Sequence, residues 1–171
     1  PEWAGLWMIF ARRGVDIDAS PAIKRPLEAH RAALEPRPRD YTGRDWPGRK
    51  PGSYKWYELQ DSVDYYRLFD GPKIVYQVIQ FYPAFAFDRS GLYTNDKGFI
   101  LPVEDRWLLG ALNSPAMWWH NWRYFVHMKD EALNPAGDKI VHVPIPTPSE
   151  AQRELVAGAV EEVQGLTRKG R

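Results

Sequence analysis

The sequence predicts an α+β fold: a mixed sheet of short strands with flanking helices and a long C-terminal helix. Three observations carry this expectation. Runs of β-branched and aromatic residues recur at strand length, as in "KIVYQVI" (Lys73–Ile79). Helical spacing runs through "DRWLLGALNSPAMWWHNWRYFV" from Asp105. Finally, Leu155, Val156, Ala159, Val160, Val163 and Leu166 form one apolar stripe near the C-terminus.

Taken in order, "GLWMIF" (Gly5–Phe10) is an apolar run suited to a buried strand. "PAIKRPLEAHRAALE" places Ile23, Leu27 and Leu34 on roughly one helical face, and Pro26 predicts a helix that effectively starts near it. From Glu35 to Gly52 the density of Pro and Gly excludes a regular element, so a long loop is expected there. "YKWYEL" (Tyr54–Leu59) reads as a strand and "SVDYYRLF" as a short helix or turn. Two further short strands are expected at "AFAFD" and "GFILP". Ser114-Pro115 splits the following helical stretch into two helices, Ser capping the second and Pro opening it. "KIVHVPIP" (Lys139–Pro146) reads as a last strand or extended segment, and Thr147 with Glu150 fits a capping box for the final helix. The expected division is a domain over 1–146, then a C-terminal helix and basic tail over 147–171.

Composition narrows the function. At 171 residues the chain suits one domain, or one with an appendage, and 44% hydrophobic content is ample for a core. The absence of Cys excludes a disulfide scaffold, a thiol nucleophile and Cys-ligated zinc. The four His show no i,i+4 pair of a helical metal site, so no metal is expected. No apolar run is long enough for a membrane span and no signal-peptide pattern opens the chain, which reads as cytosolic. There is no Gly-rich nucleotide-binding turn, no phosphate-binding loop and no carboxylate constellation for a nuclease, hence no catalytic residue to name. The start at Pro1, without Met, reads as a fragment of a longer protein.

Charge distribution says more than the formal net charge of +1. Between Pro36 and Lys55 stand six cations, Arg37, Arg39, Arg44, Arg49, Lys50 and Lys55, against only Asp40 and Asp45. Tyr41, Trp46, Tyr54 and Trp56 interleave with them. Arginine's planar fork of donors suits phosphate oxygens and guanine edges, so this loop reads either as a clamp on nucleic-acid phosphates or as a solvated loop whose cations pair with local Asp and Glu. A second basic cluster is Arg168, Lys169 and Arg171. Trp118 and Trp122 in "WWHNW" share a helical face, which favours core packing over a sugar-stacking surface with Trp119.

The motifs "LEPR" (Leu34–Arg37), "KWYEL" (Lys55–Leu59), "PKIVY" (Pro72–Tyr76), "FAFD" (Phe85–Asp88), "GLYTN" (Gly91–Asn95) and "WLLGALNSPAMWW" (Trp107–Trp119) occur in that order. Followed by "VHVPIPTPSEAQRELVAGAVEEV", the series resembles the TaqI-like C-terminal specificity domain of type IIG restriction-modification enzymes and adenine-specific DNA methyltransferases. The resemblance runs from about Gly5 to Leu166. "FYPAFAF" departs from it, so no base preference carries over. The resemblance implies a target-recognition domain that reads double-stranded DNA, without a cofactor of its own. It also implies a partner: a methyltransferase domain of the same parent chain, with or without a nuclease, which would use S-adenosylmethionine. The expected setting is the prokaryotic cytoplasm. Arg37, Arg39, Arg44, Arg49, Lys50 and Lys55 are the expected backbone contacts. Gln77, Gln80 and Asn95, with Arg89 and Lys97 flanking the Asn95 turn, are the candidate base readers. The alternative is a protein-interaction module that pairs through its C-terminal helix.

Overall fold

In the computed structural model, which describes the backbone of residues 1–169 and side chains to residue 166, Lys73–Gln77 forms a central strand, β1. It pairs antiparallel with β2 (Phe85–Asp88) on one side and β3 (Gly98–Leu101) on the other. The class is α+β, as expected, but this sheet is antiparallel throughout rather than mixed. Arg168 and Lys169 lie beyond the described side chains, and Arg171 outside the described residues.

Contacts divide the chain into two compact units. One comprises residues 4–66; the other comprises residues 1–3 and 67–171 and includes the C-terminal helix. A 3₁₀ turn, Asp64–Phe69, spans the division.

In the larger unit, α3 (Arg106–Leu112) and α4 (Pro115–Tyr124) meet at Asn113-Ser114, as the sequence predicted. Asp105 and Ser114 cap them by accepting from the N–H groups of Leu108 and Met117. Ile74, Tyr76, Phe85, Leu109, Leu112 and Met117 pack into the core of this unit. The last helix, α6 (Glu150–Lys169), lies against α3 through Val156 and Val160. Gly110 permits this approach, because a Cβ there would sit 2.6 Å from a Val156 methyl. The cap of α6 is two residues later than expected. Ser149 and Gln152 exchange bonds (Ser149 N–H to Oε1, 2.9 Å; Gln152 N–H to Oγ, 3.3 Å), not Thr147 and Glu150. The apolar stripe also divides: Val156 and Val160 pack inward, while Leu155 and Leu166 remain 75% and 63% exposed.

"KIVHVPIP" is not a strand. Gly137–Ile140 makes one helical turn, α5, and Ile140 and Val143 bury themselves at i,i+3 spacing. The small hairpin β4 (Val126–His127) and β5 (Leu133–Asn134) closes through a tight turn whose central residues, Asp130 and Glu131, have φ of 59° and 62°. Asp tolerates that left-handed region; Glu does not tolerate it well. Replacing both (Asp130→Asn, Glu131→Gly) relieves strain of about 1–2 kcal/mol. It also removes the exposed His127–Glu131 pair (3.0 Å), which contributes less. Thermal unfolding is therefore expected to rise by about 2–4 °C. A lower midpoint would show that the ion pair outweighs the strain.

The unit 4–66 contains α1 (Pro21–Glu28) and α2 (Arg31–Leu34) but no strand among its described residues. α1 starts at Pro21 and holds Pro26 inside it, rather than beginning there. "GLWMIF" forms no regular element and is exposed, with Leu6 at 77% and Trp7 at 89%. An apolar run needs a neighbouring strand to become one, and this unit offers none. "YKWYEL" buries alternate residues Tyr54, Trp56 and Glu58, which is why it reads as a strand. Its backbone is nonetheless a turn: side chains satisfy several of its polar groups, and the Leu59 N–H donates to the Ala11 carbonyl (2.8 Å).

Candidate nucleic-acid interface

Those side chains belong to Arg49 and Glu58. The Arg49 guanidinium donates to four backbone carbonyls: Leu34 (2.7 Å), Glu58 (2.8 Å), Trp56 (2.8 Å) and Lys55 (3.3 Å). It also lies over the Tyr54 ring at 4.6 Å. Glu58, 4% exposed, accepts from the N–H groups of Lys55 (2.8 Å) and Gly14 (2.9 Å). Burial opposes its ionisation, but those two N–H groups and the nearby Lys55 and Arg13 charges hold its carboxyl below the usual range.

The long loop is thereby fastened at both ends. Pro36 and Arg49 form a parallel bridge, with Arg37 N–H donating to the Arg49 carbonyl (3.0 Å) and Arg49 N–H to that of Glu35 (2.9 Å). Trp46 Nε1 donates to the Glu35 carbonyl at 3.0 Å. Gly48 lies so close to the end of α2 that a Cβ would come within 2.1 Å of that same carbonyl oxygen. Tyr41 and Trp46 pack edge to face at 5.1 Å, and the Tyr41 hydroxyl donates to the Asp45 carbonyl.

The six expected backbone-binding cations therefore separate into two sets. Arg49 acts as a structural staple: four of its five guanidinium N–H donors are engaged by backbone carbonyls. Lys50 pairs with Asp61 at 2.9 Å, and the Lys55 ammonium sits 5.6 Å from the centre of the Tyr57 ring. Hydrogen bonding to Tyr57 is the chief cause that raises the Lys55 pKa, so it stays a cation. Arg37, Arg39 and Arg44 are exposed, and no hydrogen bond or ion pair engages their guanidinium groups among the described residues. Residues 4–66 carry eleven Lys or Arg against nine Asp or Glu, so the free cations sit on the more basic unit.

The candidate base readers lie on the other unit. Strand register brings three together at one end of the sheet: Gln77 pairs with Gly98, and Val78 N–H donates to the Lys97 carbonyl (2.9 Å). Asn95, an exposed residue, turns the chain there, its Oδ1 accepting the Lys97 N–H at 3.0 Å. Lys97 pairs with Asp96 at 2.7 Å. Arg89 is at the opposite end, beyond the Lys73–Asp88 register pair, and is held by Glu104. It does not flank the Asn95 turn. Gln80 is 2% exposed, and its N–H and C=O both bond to Leu133, so it is a packing residue rather than a reader. Its Nε2 has no partner among the described residues.

The motif residues that sequence reasoning left without a role turn out to be polar anchors, two of them buried and Asn113 half-buried. Lys73 of "PKIVY" and Asp88 of "FAFD" face each other across β1 and β2 and form an ion pair of 2.5 Å, with side chains 0% and 2% exposed. Asp88 also accepts from the Ser90 hydroxyl (2.6 Å) and from the N–H groups of Ser90 and Leu92 (2.9 Å each). Burial resists its ionisation; Lys73, Ser90 and those N–H groups outweigh burial and bring the carboxyl down to about 2. Asn113 of "LNS" accepts from the Phe85 N–H (3.2 Å) and donates to its carbonyl (3.0 Å). The signal for all three was their place in the motifs, where a charged or amide residue interrupts an apolar run.

Trp118 packs half-buried against the core, while Trp119 is 60% exposed with the Arg123 guanidinium 3.7 Å from its ring centre. Trp118 and Trp122 share a face at 6.3 Å, as their spacing predicted. An open apolar groove of about 790 Å³ runs past Phe85, Phe87, Leu109, Val156 and Val160. Asn113 in its wall is already engaged with Phe85. No group of three or more metal-ligating side chains and no helix long and apolar enough to cross a membrane occurs among the described residues. No protein-family model matches the sequence, and no curated protein matches it.

Proposed function

We propose that this chain is the DNA-reading domain of an adenine-specific methyltransferase of the restriction-modification or phage-defence type, acting in a prokaryotic cytoplasm. The chemistry and S-adenosylmethionine belong, on this reading, to a catalytic domain outside this sequence. The observation that carries it is the pinned loop: Arg49, Trp46 and Gly48 fix a frame on which the Arg37, Arg39 and Arg44 guanidinium groups are exposed and without partners among the described residues. A loop held this way presents cations at little further ordering cost, which suits phosphate contacts. The ordered series of specificity-domain motifs supports the same reading.

Fluorescence anisotropy with a mixed-sequence duplex, across roughly 50–200 mM salt, tests it. Affinity should fall steeply with salt. The triple variant Arg37→Gln, Arg39→Gln, Arg44→Gln should flatten the log–log slope by about 2.7, at 0.9 per phosphate contact. Absence of salt-dependent binding by the wild type would overturn the reading. It would favour the second one, pairing through α6, for which the exposed Leu155 and Leu166 are the specific observation.

A further inference from the structure

Phe81 and Tyr82 stand side by side in the β1–β2 connection, 61% and 68% exposed. Among the described residues neither ring has a stacking partner and the Tyr82 hydroxyl has no hydrogen bond. The chain on both sides of them is fixed. Gln80, one residue earlier, exchanges two backbone bonds with the fully buried Leu133 (3.0 and 2.8 Å). Pro83, one residue later, has a locked φ. Phe85 is then buried and held by Asn113. Two large rings are thus presented to water on an ordered loop, a cost the fold itself does not offset.

Their surroundings indicate what would cover them. The connection leaves the sheet at the end where Gln77, Asn95 and Lys97 gather. Side-chain amides pair with the edge of adenine, and aromatic faces stack on bases of any sequence. Apolar residues placed this way act as wedges that open a base step and kink the duplex.

We propose that Phe81 and Tyr82 insert into the DNA base stack, unstacking one step beside the bases met by Gln77 and Asn95. This rests on the DNA-binding reading above and adds a site to it. The cost of unstacking depends on sequence, so the wedge would contribute discrimination at positions that no side chain hydrogen-bonds.

The test uses the duplex pool that the wild-type chain retains from random sequence, with permanganate, which oxidises unstacked thymines, as the probe. Wild type should raise thymine oxidation in the bound duplexes. Phe81→Ala/Tyr82→Ala should abolish that increase and weaken binding about 5- to 150-fold, while keeping the wild-type salt slope. Phe81→Leu should retain the signal, since Leu also serves as a wedge. Both positions are exposed, so these variants should fold normally. Salt-dependent binding without enhanced oxidation, or a double variant that binds like wild type, would overturn the wedge and leave the DNA-binding reading standing. Loss of salt-dependent binding in the wild type would overturn both, and the salt series alone reveals it.

Discussion

Asp88→Asn is expected to lower the unfolding free energy by about 3–5 kcal/mol, because it leaves the Lys73 ammonium buried without a counter-charge. The pair is asymmetric. Asp88 accepts four hydrogen bonds, three of them from groups other than Lys73. Among the described residues the Lys73 ammonium donates to Asp88 and otherwise only to the Phe69 carbonyl (2.6 Å). Lys73→Met should therefore cost less than Asp88→Asn. The double change Lys73→Met/Asp88→Leu should cost less than the sum of the two single losses, since no charge is stranded. Urea titrations at neutral pH give these values. Equal midpoints for wild type and Asp88→Asn would show that the pair does not hold the sheet. The same carboxyl sets an acid limit. Its folded pKa, about 2, lies below the unfolded value near 4, so its stabilisation is present above about pH 4 and lost as pH falls towards 2. In Asp88→Asn that part of the acid sensitivity should disappear.

Arg49→Lys is the second large effect, expected at about 2–4 kcal/mol despite keeping the charge. A lysine ammonium cannot span carbonyls as far apart in sequence as Leu34 and Glu58, which the guanidinium joins. Several carbonyls lose a charge-assisted donor together, and partial exposure of the site tempers the loss. Limited trypsin digestion provides a local readout, because Arg39 and Arg44 become cleavable once the loop opens, whereas Arg37 precedes Pro38 and resists trypsin. Arg49→Lys should be nicked there much faster than wild type. By contrast, the Arg37/Arg39/Arg44 glutamine variant should keep its stability within about 0.5 kcal/mol. Equal nicking rates for Arg49→Lys and wild type would show that Trp46 and Gly48 suffice to hold the loop.

The contrast between these arginines shows where sequence reading ends. Density of Pro and Gly located the loop, and Ser-Pro located the break between α3 and α4, because both signals are local in the chain. Which of six cations was free was not legible, since Arg49 is spent on carbonyls nine and fifteen residues away. "YKWYEL" misled for the same reason: its alternating burial is real, but several of its polar backbone groups bond to side chains. "KIVHVPIP" carried an i,i+3 pair that a period of two also accommodates. For the base readers, register decided the outcome. It gathered Gln77, Asn95 and Lys97 at one end and sent Arg89 to the other. Gln80 was lost to burial, which composition does not reveal.

Asn113 has a consequence for the chain among its own copies. β2 is an edge strand, and an edge with unpaired N–H and C=O groups is a template for a strand from another molecule. The Asn113 amide occupies both groups of Phe85, imitating the neighbour that the sheet lacks. One side chain from a helix junction thus closes part of the sheet margin, so the residue that docks β2 onto α3 also guards the protein against edge-to-edge aggregation.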